Sequence, residues 1–133
     1  MRLYSEEWIA AFNEAVRGLE ADPHVSLRML QVVQGGPEGT VRVLLRVQEG
    51  RVSLERAAAG QPGEPAPEPA PQVTVSVQFD DALALSRGEL DPAGLLAAGR
   101  VKVRGDLSVL VTGQEILAAA APRLDALSER TTS

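Results

Sequence analysis

The chain has no cysteine and a single histidine, His24, in 133 residues. Disulfides, thiol nucleophiles and thiolate metal sites are therefore excluded, and one imidazole leaves too few ligands for an ordinary zinc site. Rings are scarce too: Tyr4, Trp8, Phe12 and Phe79 are the only aromatic residues. With a formal net charge of -5, this argues against a nucleic-acid role, which needs positive charge for phosphates and π-faces for bases. No stretch approaches the roughly 20 apolar residues of a membrane-spanning helix. The N-terminus turns charged at Glu6 and Glu7, without the apolar run of a secretory signal, so a cytoplasmic protein is expected. Catalytic signatures are missing as well. The glycines fit neither a phosphate loop nor a dinucleotide fingerprint, and no Gly-x-Ser-x-Gly elbow occurs. The acid pairs Glu6-Glu7 and Asp80-Asp81 sit where helices begin, which already accounts for them. No cofactor, metal site or enzymatic activity is expected.

What remains is a chain 44% apolar, ordinary for a folded domain, with a core of Val, Leu and Ala. Its length suits one domain, 1–133. Ser5 is placed to cap a helix on which Trp8, Ile9, Phe12, Ala15, Val16 and Leu19 share one face; Pro23 disfavours helix at Asp22, where the helix should stop. The period then changes to two. Val41, Val43, Leu45 and Val47, then Val52 and Leu54, then Val73, Val75, Val77 and Phe79, and finally Val101 and Val103 alternate mostly with polar residues, as half-buried strands do. Val25, Leu27 and Met29 begin the same alternation and lose it at Leu30 and Val32, which calls for a bulge or for burial on both faces. Gly35 to Gly39 and Glu49-Gly50 supply the turns of a meander.

Residues 57–72 hold five of the nine prolines and read as a solvated loop inserted between two strands. Two short helices follow, one capped by Asp80 or Asp81 and ending at Gly88, the other capped by Asp91 with Pro92 first and Gly99 just past its end. Gly105 frees the backbone to turn, Asp106 caps the last helix, and Pro122 is expected to end it by Ala121, with room for one further turn over Arg123 to Leu127; Thr131 to Ser133 should fray.

Strands with one apolar and one polar face can be covered by helices on one side only, which gives a two-layer α/β sandwich of the α+β kind. The open face collects Arg28, Arg42, Arg46, Arg51, Lys102 and Arg104, a basic patch that is either simply solvated or suited to transient docking on anionic lipid or a partner. In the last helix only Ser108, Thr112 and Glu115 form a polar stripe, leaving more apolar surface than a sheet can cover. Another helix, a partner chain or an apolar ligand must meet the surplus.

The segment from Val73 to Val111 resembles the second half of the sterol carrier protein type two family. It carries, in order, a strand, Asp80-Asp81, a short helix to Gly88, Leu90-Asp91-Pro92, Leu95-Leu96, Gly99 and the hexapeptide Val101-Lys102-Val103-Arg104-Gly105-Asp106. The resemblance implies a five-stranded mixed, mostly antiparallel sheet with helices on one face, and an apolar tunnel between the layers that takes sterols, fatty acyl chains or other lipids. In that arrangement Leu110 and Leu117 border the tunnel together with Trp8, Phe12, Leu83 and Leu96, and the small Ala118 and Ala120 leave it space. The expected function is binding or transfer of an apolar ligand by a monomer or weak dimer. The alternative is an interaction or oligomerisation module whose pocket is filled.

Overall fold

The computed structural model describes residues 2–37, 39–57, 71–87, 89, 90 and 92–132. Their elements run α1 (Glu6–Ala15), β1 (Leu27–Gly36), β2 (Gly39–Gln48), β3 (Arg51–Ala57), β4 (Val73–Gln78), α2 (Phe79–Ser86), α3 (Pro92–Ala97), β5 (Val101–Gly105) and α4 (Leu107–Arg130). The strands form one sheet in the order β3-β2-β1-β4-β5, with β1 and β4 parallel at its centre and every other pair antiparallel. This is the mixed five-stranded sheet the family resemblance implied. The turn at Glu49 and Gly50, both with positive φ (52° and 79°), is the tight hairpin whose twist matches that of the strands.

Register aligns the inward row across the sheet. Val41 pairs with Val33 and Val33 with Val77, which meets Val101; Leu45 pairs with Met29; Val75 lies between Gln31 and Val103. Val41, Val43, Leu45, Val75, Val77, Val101 and Val103 thus share one face, as the alternation required. Helices α1, α2 and α4 cover it, and Trp8, Ile9, Phe12, Phe79, Leu110 and Leu127 join the strand residues in one core cluster. The broken alternation in β1 is burial on both faces, not a bulge at that point. Leu30 is 7% exposed and its cross-strand partner Leu44 3%, both on the side away from that core; the register shift comes later, between Val33 and Gly36. The six cationic side chains lie on the same far side, where Arg46 meets Glu55 at 2.9 Å.

Several boundaries differ from the sequence reading. Helix α1 ends at Ala15, seven residues before the stop expected at Asp22, because Gly18 adopts a left-handed φ of +85° just beyond its C-terminus. At its start Ser5 Oγ accepts from Trp8 N at 3.1 Å, as expected. Asn13, on the polar side of α1, pairs its carboxamide with both backbone groups of Leu54 at 2.8 Å and so closes part of the edge of β3. Neither Asp80 nor Asp81 caps α2. The cap position is Gln78, without a side-chain bond, and Asp81 is buried in an ion pair with Arg100, tying α2 to the approach of β5. Gly88, Asp91, residues 58–70 of the proline-rich loop and Ser133, all assigned from sequence, lie outside the described residues.

The largest departure is α4, which passes through Pro122 and continues to Arg130. Proline inside a helix costs about 3 kcal/mol; here tertiary anchoring beyond it offsets that cost. Leu127 is 4% exposed, and Thr131, expected to fray, is fixed by Trp8 Nε1, which donates to its Oγ1 at 2.9 Å. Leu3 N donates to Thr132 O at 2.9 Å. At the other end Asp106 caps α4 as expected. Gly105 is required where it stands: with φ +110°, an added Cβ would lie 2.5 Å from Gln72 O.

Candidate functional site

Between α4 and the sheet lies a cavity of about 410 Å³, within the roughly 300–1,000 Å³ usual for small-molecule sites. Its floor is the inward row of the sheet, including Met29, Leu45, Val75 and Val103. Tyr4, Trp8 and Phe12 wall one side; the indole meets the Tyr4 ring edge-on at 5.1 Å and stacks on Phe12 at 5.7 Å. The α4 wall is one stripe, Leu110, Gln114, Leu117, Ala121, Leu124 and Ser128, spaced three or four residues apart along one side of the helix. Gly113 brings this helix close to the floor, since a Cβ there would stand 3.4 Å from Met29 Sδ.

Polar lining residues are few: Ser86, Gln114 and Ser128 on the helical walls, Arg87 and Asp125 at the mouth, and Tyr4 and Gln31 inside. Arg87 and Asp125, both exposed, belong to the rim; Arg87 Nε donates to Thr131 O at 3.2 Å, so the end of α2 holds the end of α4. Inside, the Tyr4 hydroxyl donates to Gln31 Oε1 at 3.2 Å. Burial pushes the Tyr4 phenol far above its usual range, which keeps it neutral. Asp106, at the start of α4, titrates below the usual carboxylate range because the Ser108 hydroxyl and backbone N–H bond to it. Among the described residues no three acidic or histidine side chains are grouped to hold a metal. His24 is exposed in a turn, its N–H bonded to Asp22. The arrangement can enclose an apolar body.

Of the residues selected from sequence, Trp8, Phe12, Leu96, Leu110 and Leu117 line the cavity. Leu83 packs against the core beside it. Ala118 is exposed and outside the lining, and Ala120 is fully buried within the core; Ala121, also exposed, is the alanine that lines the cavity. Ending the helix at Pro122 hid the stripe that would have shown this, since it continues to Ser128. Gln31 was also missed, although a polar residue in the inward row of Leu27, Met29 and Val33 was a visible signal. The apolar surplus of α4 is only partly absorbed: Leu107 and Val111 remain 63% and 54% exposed. No helix among the described residues is long and apolar enough to cross a membrane.

The fold is shared with solved structures of low sequence identity. A crystal structure of sterol carrier protein 2 superposes with a TM-score of 0.68 at 14% identity, over 92% of this chain and 97% of that one. A conserved hypothetical protein from Thermus thermophilus gives 0.62 at 17% identity, covering 96% and 88%. The solution structure of palmitated SCP2L2 from Aedes aegypti gives 0.59 at 21% identity, covering 84% and 93%. No curated protein matches in sequence. Residues 13–118, which include β1 to β5 and the first half of α4, match the SCP-2 sterol transfer family, and the chain belongs to that family.

Proposed function

We propose that the protein binds a lipid or comparable apolar ligand in the cavity between α4 and the sheet, and carries it without covalent chemistry. The observation that carries this reading is a 410 Å³ space walled by aliphatic and aromatic side chains in a member of a sterol transfer family. The palmitated state of the Aedes aegypti structure makes an acyl chain the natural first probe. At about 0.8 kcal/mol per buried methylene, ten methylenes provide on the order of 8 kcal/mol before the costs of association. A cavity of this size argues against the alternative of a filled interaction module.

Trp8 is the only tryptophan and lies on the wall, so its emission reports filling of the cavity. A fluorescent fatty acid should bind one per chain and change that emission, and native mass spectrometry of the freshly purified protein should find apolar molecules retained. Val75→Phe, which projects a ring into the space, should lower probe binding without lowering the melting temperature. Absence of binding in the parent, or a Val75→Phe variant that binds as well as the parent, would refute the reading.

A further inference from the structure

Gln31 occupies an anomalous position. It lies at the centre of the covered face, between Val43 and Val75 in register and between the buried Met29 and Val33 along β1, yet it is itself only half-buried. The remaining exposure opens into the cavity, which Gln31 lines. Its Oε1 accepts from the Tyr4 hydroxyl, and among the described residues its Nε2 has no hydrogen-bond partner. No described side-chain nitrogen or oxygen is both fully buried and unpartnered, so this amide nitrogen keeps access to the cavity. Tyr4 is held in place at a cost, since its φ of +62° lies in the left-handed region that bulky residues avoid. The backbone accepts that conformation while the phenol points inward at Gln31.

We infer that the Tyr4–Gln31 pair is a hydrogen-bonding subsite within the cavity, selecting ligands with an uncharged oxygen, a hydroxyl or carbonyl, on the part buried deepest. The inference rests on the cavity being the ligand site. An alkyl end pressed against Nε2 would strip its donors of any partner, which is unfavourable in an apolar enclosure. A hydroxyl or carbonyl oxygen accepts from Nε2 and removes that penalty. A carboxylate gains less at this point: both members of the pair are neutral, and the charged lining residues Arg87 and Asp125 are exposed at the rim. An anionic head group therefore belongs at the mouth, with its chain running inward.

The test compares decane, 1-decanol and decanoic acid as competitors of a fluorescent fatty acid, on the parent and on Gln31→Leu, with melting curves of each. Leucine suits the apolar row, and Gln31→Met serves as a second, unbranched replacement. The alcohol-to-alkane affinity ratio should fall about three- to tenfold in both variants, the loss of one net hydrogen bond, while decanoic acid changes less than about twofold. A ratio that survives both replacements, or an equal change for all three competitors, overturns the subsite and leaves the cavity reading standing. Failure of the parent to bind any of the three overturns that reading and the subsite with it.

Discussion

Tyr4 combines a left-handed backbone, a phenol bonded to Gln31 and a buried side chain, and these give stability a defined alkaline limit. Its folded-state pKa is raised by desolvation above the ordinary value of 10.0. The neutral phenol is thus favoured by folding, and that contribution is complete below about pH 10 and lost progressively as pH rises beyond it. Since this is the only tyrosine, tyrosinate absorbance should appear together with unfolding, not ahead of it. In Tyr4→Phe the steep loss of stability above pH 10 should flatten. Tyrosinate forming at ordinary alkaline pH in the folded protein would contradict the burial. None of this was legible beforehand. A tyrosine four residues from the end carries no periodic signal, and its role depends on a contact with Gln31, 27 positions away.

At the level of elements, the strands and α1 were readable because alternation and a 3.6-residue stripe record directly which side is buried. Helix α4 was readable as continuous only to Ala121, with Arg123 to Leu127 as a separate further turn, because local chemistry at Pro122 opposes what Leu127 and Thr131 achieve through contacts with α1 and the N-terminal segment. Pro122 is exposed, so Pro122→Ala restores a backbone hydrogen bond without disturbing packing. It should stabilise the protein by about 1–3 kcal/mol, read as a higher denaturant midpoint. The opposite end of α4 responds to acid. Asp106 titrates below its ordinary 3.8 through its bonds from Ser108, so its cap contributes fully above that pH and is lost as pH falls through the lower folded value. Asp106→Asn should make the loss of stability below about pH 4 measurably shallower, and an unchanged acid profile would show that the cap contributes nothing there.

For the whole molecule, the two-layer arrangement followed from patterning, whereas the parallel pairing of β1 with β4 did not, since alternation shows faces and not neighbours. The cavity was legible as an excess of apolar surface on α4, but not in its phase. That phase now separates three nearby alanines of α4. Ala120 is fully buried in the core, so Ala120→Phe should overpack it and cost about 1–3 kcal/mol. Ala121→Phe should reduce binding of a fluorescent fatty acid with little change in melting, and Ala118→Phe, outside the cavity lining, should change neither. If Ala118→Phe and Ala121→Phe behave alike, the helix is rotated from the position described.

The central seam of the sheet also has a consequence in time. The meander β1–β2–β3 joins neighbours through short turns, but Arg28 meets Gln72 across 44 positions, and β4, β5 and α4 can dock only after that loop has closed. The meander should therefore assemble early, while zipping of the seam limits the folding rate. Because closure depends only logarithmically on loop length, shortening residues 58–70 by half should speed refolding less than about threefold. The cavity forms only when the seam has zipped, so a ligand present during refolding should slow unfolding far more than it accelerates folding.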